Sequence, residues 1–140
     1  MKVKRIIYRL SEISEKGMLS VNPFCKSDIN IAKQITFDEV KMGDIYMVYG
    51  IYMNNQGVLS YLLFDIYSKP SWYPAEFFEI VDSLLPVEWY FRFDPGEEIE
   101  AWWGYKEMVL DKKHYEDLVE REDQAIRIFL KRKKEIDEYL

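Results

Sequence analysis

Asp94, Glu97, Glu98 and Glu100 crowd into the stretch DPGEEIEAWWGYKEMV (94–109), and Trp102, Trp103 and Tyr105 follow at once. Paired carboxylates can hold a metal ion, or divide the roles of general acid and base when their surroundings push their pKa values apart. Acids beside large aromatics suit a second use, because Trp and Tyr bury much area for few rotors lost and so anchor protein interfaces. The chain carries 25 acidic residues, so a carboxylate pair arises readily and a solvated turn is the plainer reading of Glu97, Glu98 and Glu100. The stretch SWYPAEFF (71–78) repeats the combination, with Trp72 and Tyr73 beside Glu76.

Other reactive groups are sparse. His114 is the one histidine and Cys25 the one cysteine, so a zinc site would need an atypical carboxylate-rich ligand set, and no internal disulfide can form. A Cys–His nucleophilic pair would need these two to meet, and neither lies in a recognisable signature. His114 is expected near the start of an exposed helix, facing solvent or half-buried, and Cys25 beside Phe24 as a small core residue. No glycine-rich phosphate loop is present, and DPGEEIE lacks the spaced oxygen ligands of a calcium loop. No cofactor is expected. The run KRKK (131–134) falls late in a helix, where cations complement the dipole, and Glu135, Asp137 and Glu138 offset it.

Composition narrows the classes. The chain has 140 residues, enough for one domain with a real core, with 49% apolar and 31% charged residues. Nineteen basic residues against 25 acidic leave a net charge of −6, which phosphate backbones repel and basic proteins attract. Arg9, Glu12 and Glu15 interrupt the N-terminal apolar residues, so no signal peptide is expected there. No window approaches the ~18 apolar residues of a membrane span. These features predict a cytoplasmic protein that binds neither nucleic acid nor membrane.

The elements that must position these residues follow from periodicity. KVKRIIYRL predicts a first or edge strand, and a short helix is expected after Ser27 or Asp28, with residues 11–40 otherwise unassigned. GDIYMVYGIYM (43–53) and GVLSYLLFDIY (57–67) read as two strands joined by a hairpin at NNQG. Pro70 and Pro74 are expected to break the second strand, and 75–85 reads as a short helix or as a strand and turn. EWYFRF (88–93) is a third strand. Residues 95–109 fit a helix begun by Asp94, Pro95 and Glu97, or a strand returning as a hairpin. The alternation of Ile99, Ala101, Trp103 and Tyr105, together with Gly104, favours the strand. Trp102 and Trp103 must then face opposite sides of the sheet. From Asp111 the chain lacks Gly and Pro and repeats apolar residues from Tyr115 to Ile136 at helical spacing, with a possible break near REDQ. The prediction is one α+β domain over 1–140, β-rich over 1–110 and helical over 111–140. Its β part would be an antiparallel sheet or a small barrel, with one or two C-terminal helices.

The segment KMGDIYMVYGIYMNNQGVLSYLLFDIYSKPSWYPAEFFEIVD (41–82) resembles an SH3-like small barrel, in which a Gly-Asp pair precedes a strand and hairpin and a Trp-Tyr-Pro segment leads to the closing part. In kind and composition the whole chain is similar to small acidic bacterial immunity proteins, which bind and neutralise a cognate toxin. The sequence therefore points to a non-enzymatic protein-binding module, an inhibitor or immunity protein that meets a basic partner. Its contact surface would comprise Trp72, Tyr73, Glu97, Glu98, Glu100, Trp102 and Trp103. The alternative is a small-molecule-binding or enzyme domain with a carboxylate- and tyrosine-lined pocket, for which Glu79, Asp82 and Glu107 are the first acids to consider. A third reading is structural: an accessory subunit or a homodimer that uses the C-terminal helix. Oligomeric state is not legible in the sequence.

Overall fold

The computed structural model describes residues 1–139. Eight strands form two antiparallel sheets, and five α-helices complete an α+β fold. The strands are β1 (Lys2–Arg5), β2 (Ile45–Met47), β3 (Gly50–Asn54), β4 (Leu59–Phe64), β5 (Pro70–Pro74), β6 (Phe78–Asp82), β7 (Tyr90–Phe93) and β8 (Ile99–Gly104). The helices are α1 (Glu15–Val21), α2 (Ile29–Gln34), α3 (Lys106–Leu110), α4 (Lys112–Val119) and α5 (Asp123–Tyr139). One sheet has the order β2-β1-β6 and the other β5-β4-β3-β8-β7. The chain passes between the sheets three times: from β2 into β3, from β5 through a 3-10 turn (Ala75–Phe77) into β6, and from β6 into β7. The opening strand β1 is thus the centre of the smaller sheet rather than an edge.

Strand alternation builds two cores, one on each face of the five-stranded sheet. Ile51, Tyr61, Leu63 and Tyr73 point into the first, with Val3 from the smaller sheet, Leu10, Cys25 and Ala32 from the N-terminal helical segment, and Phe77 from the 3-10 turn before β6. Their neighbours Leu62 and Trp102 point into the second, against Met108, Leu118, Phe129 and Ile136 of the C-terminal helices. Helix starts follow the local chemistry. Asp28 caps α2 by accepting from Asn30 N, and Asp111 caps α4 by accepting from Lys113 N. The break near REDQ falls at Glu120–Glu122, where Arg121 has φ 60°. The hairpin at NNQG forms as expected, with Gly57 in the left-handed region at φ 78°.

Three expectations are corrected. The second strand does end before Pro70, but at the turn over 65–69 and not through the prolines, which bound the next strand of the sheet, β5. Asp65 N donates to Lys69 O, and the pairing continues from Phe64↔Pro70 to Ser60↔Pro74. In an antiparallel ladder, residues that bond to the neighbour alternate with residues whose N–H and C=O point away. Lys69, Ser71 and Tyr73 bond to β4 by this alternation, so Pro70 and Pro74 fall at outward positions where no ladder N–H is needed. The strand reading of 95–109 holds only through Gly104. Residues Lys106–Leu110 turn into α3, placing Met108 and Val109 in the second core. His114 is not at the surface: its side chain is buried against Tyr105, the residue between β8 and α3, with Nε2 2.6 Å from the tyrosine hydroxyl.

Arg5 organises the long excursion between β1 and β2. The residue is 1% exposed, and all five guanidinium N–H groups reach main-chain carbonyls. Nε donates to Ile7 O at 2.9 Å, Nη1 to Phe37 O at 2.6 Å and to Val40 O, and Nη2 to Tyr8 O at 2.6 Å and to Thr36 O. Both ends of the helical excursion are thereby tied to one side chain.

Candidate functional site

The β7–β8 hairpin brings acid and aromatic groups to the surface. Register pairs Tyr90↔Gly104, Phe91↔Trp103, Arg92↔Trp102 and Phe93↔Ala101, so Phe91 and Phe93 share the Trp103 face while Arg92 shares the Trp102 face. Phe91 is 57% and Phe93 53% exposed, although Phe91 stacks on Trp103 with ring centroids 5.2 Å apart. At the hairpin tip Gly96 takes φ 86°, and Glu97 and Glu98 stand in solvent. Glu100 is half-buried and accepts from Gly96 N at 3.4 Å. Arg92 Nε lies 2.8 Å from Asp94 Oδ2, an ion pair out of line for a good hydrogen bond, and its guanidinium sits 5.6 Å from the Trp102 ring centre.

The sequence-predicted contact residues do not form one surface. Trp102 is buried against the half-buried Tyr52, Trp72 and Tyr115, and every ring pair in this quartet lies between 4.7 and 6.4 Å. Rings this close fill the space between them, so the quartet is core and not an open cage. Tyr73 is 2% exposed in the opposite core, with its hydroxyl 3.4 Å from Glu39 Oε1. Trp72 and Trp103 are half-buried. Of the expected set, Glu97 and Glu98 are exposed. Phe91 and Phe93, which the sequence reading passed over, stand beside them. Their period-two spacing in EWYFRF was the available signal.

A cleft of about 590 Å³ opens on the other side of β7, between the segment Pro86–Tyr90, the start of α3 and the end of α5. Arg132 lines it but is already engaged: Nε and Nη2 lie 2.6 and 2.8 Å from the two oxygens of Glu107, and Nη1 is 2.9 Å from Glu135 Oε2. The Arg132 contact holds the Glu107 carboxyl below its ordinary value. Tyr105, also on the cleft, sets its hydroxyl 2.6 Å from His114 Nε2. Burial pushes the tyrosine hydroxyl up and the imidazole down, so both stay neutral near pH 7. The indole N–H of Trp89, a lining residue, is buried and lacks a partner among the described residues. The acids that line the cleft are Glu88 and Glu135; Glu79 and Asp82 belong to β6 and do not line it, and Glu107 reaches it only through its ion pair with Arg132. Among the described residues no group of three or more His, Cys, Asp or Glu side chains gathers closely enough to hold a metal ion, and no helix is long and apolar enough to cross a membrane. Compared with protein-family models, curated proteins and solved structures, the chain matches none of them.

Proposed function

We propose that this protein is a non-enzymatic binding module that meets a basic protein partner through the β7–β8 hairpin. One observation carries the reading. Phe91 and Phe93 project from an edge strand into solvent, directly before a turn that exposes Glu97 and Glu98. Exposed aromatics supply the buried contact of an interface, and acids around them steer a cationic partner and set its orientation. Tyr73 and Trp102, given their burial, serve this surface by holding the sheet beneath it. In its finer form the proposal makes the partner a basic toxin and this chain its inhibitor or immunity protein, consistent with the net charge of −6. A relation of 41–82 to SH3-like barrels stays part of the proposal on its sequence alone, since the strands of this segment divide between the two sheets and close no barrel.

The test is capture of partners by the tagged protein from extract of its native cell at low and high salt. The proposal expects a basic protein retained at low salt and released at high salt, with charge reversal of Glu97 and Glu98 slowing association about tenfold at low salt. Absence of any salt-sensitive partner overturns it. A second reading rests on the cleft, whose volume lies in the ~300–1,000 Å³ range of small-molecule sites and whose wall includes the unpaired Trp89 indole N–H. It expects a small molecule that accepts a hydrogen bond to quench Trp89 fluorescence.

A further inference from the structure

The two edges of the five-stranded sheet are treated in opposite ways. On β5 the outward positions are Pro70, Trp72 and Pro74, so two of three have no N–H to offer. Arg121 Nη1 additionally occupies the Pro70 carbonyl at 2.8 Å. That edge cannot be extended by another strand.

On β7 the alternation runs the other way. Asp94 N donates to Glu100 O at 2.7 Å, which marks this directly opposed pair as a bonded one. Arg92 and Tyr90 therefore bond to β8, and Phe91 and Phe93 turn both N–H and C=O outward. Of the groups that guard natural edges, proline, lysine and a bulge are missing from β7 among the described residues; its one charge, Arg92, points to the Trp102 face and leaves the outward main-chain groups of Phe91 and Phe93 without a charged side chain of their own. The outward residues are the same two whose side chains are exposed.

We infer that the β7 edge accepts an extended segment of the partner as a sixth strand, with apolar side chains against Phe91 and Phe93 and lysine or arginine toward the acidic ends. Charge selects this occupant. Exposed Glu88 precedes the strand and exposed Glu97 and Glu98 follow it, while its own cation, Arg92, is held by Asp94 on the opposite face. A second copy pairing at this edge would set acids of like sign together between chains of net charge −6. The inference rests on the proposed binding function and specifies its mode: main-chain pairing supplies affinity, and alternate side chains supply specificity.

The experiment follows amide hydrogen exchange by NMR on the whole labelled chain. The probe is a peptide of about eight residues alternating valine and lysine, the length of an ordinary strand. One control arm replaces lysine with glutamate, and another concentrates the protein alone. In the free protein the Phe91 and Phe93 amides exchange fast beside slow Tyr90 and Arg92. The lysine peptide is expected to slow them about tenfold or more, and the glutamate peptide to leave them unchanged. Phe91→Pro removes an outward N–H without costing a β7–β8 bond, so it abolishes the slowing, and Phe93→Pro is the second variant should the first fail to fold. Phe91→Ala keeps the N–H and retains part of the effect. Signals of Glu97 and Glu98 that move without slowing of the two amides would overturn strand pairing and leave the acidic surface standing. Slowing on concentration alone would install a second copy as the occupant and overturn the inference, as would no response to either peptide. The wider binding reading fails separately, in the salt-dependent capture.

Discussion

Replacing Arg5 with methionine removes a side chain of similar length that touches no surface. The guanidinium is saturated: five N–H donors meet the carbonyls of Ile7, Tyr8, Thr36, Phe37 and Val40. Its charge is retained although burial pushes its pKa down, with Asp38 and Glu39 working against that shift. A hydrogen bond from a charged donor contributes about 1.5–3 kcal/mol, so five would sum to ~7 kcal/mol or more if they added. Two effects reduce the loss. Desolvating a guanidinium costs several kcal/mol, which methionine avoids. The carbonyl of exposed Tyr8 can also regain water, whereas that of buried Val40 cannot. The expected net loss is about 4 kcal/mol, a large share of the ~5–15 kcal/mol that holds a domain together. Arg5→Lys keeps the charge with three donors in place of five and loses the planar fork, so it should fall between, at about 2–3 kcal/mol. Urea unfolding followed by tryptophan fluorescence measures both, and hydrogen exchange should show the first protection lost at Leu10–Gln34. An Arg5→Met midpoint within about 0.5 kcal/mol of the parent would refute the cage as a source of stability.

Glu107→Gln breaks the bidentate contact with Arg132 and should cost about 1–2 kcal/mol at neutral pH. Since the Glu107 carboxyl is held below its usual value, that contribution is present above ~4.5 and is lost as pH falls through the depressed folded value, which the variant's flatter acid limb in urea midpoints would register. His114 carries a lowered pKa, so the unfolded chain takes up its proton first as pH falls below ~6.5. Stability should then drop by at most ~1.4 kcal/mol per pH unit until the folded ring also titrates, and His114→Gln should remove that part of the slope. Trp102→Ala empties the centre of the aromatic quartet and should cost about 3–5 kcal/mol. Trp103→Ala, on the half-buried opposite face, should cost less, and equal losses in thermal or urea unfolding would contradict the two-core arrangement.

Much of the fold lies within reach of local rules. Alternation placed Trp102 and Trp103 on opposite faces, Asp28 and Asp111 marked helix starts, and Asn54–Gly57 marked a hairpin. Each depends on residues only a few positions apart, whose spacing and backbone preferences are visible along the chain. The short helix α3 escaped because Tyr105, its first flank, continues the strand's alternation, and burial of Met108 and Val109 against distant strands decides the turn.

The candidate surface was legible in type but not in place. Acid beside aromatic residues could be read, yet Tyr73 and Trp102 went to the cores while Phe91 and Phe93 came to the outside. Whether a strand residue is covered depends on which strand takes the edge and what packs on each face, and both are settled by contacts remote in sequence. Arg5 finds Val40, Glu107 finds Arg132, and His114 is buried against Tyr105. The sequence by itself determined the alternation, the caps and the charge, since these are properties of neighbours. Only the tertiary structure decided that β5 is a closed edge and β7 an open one, because an edge is defined by the strand that does not pair with it.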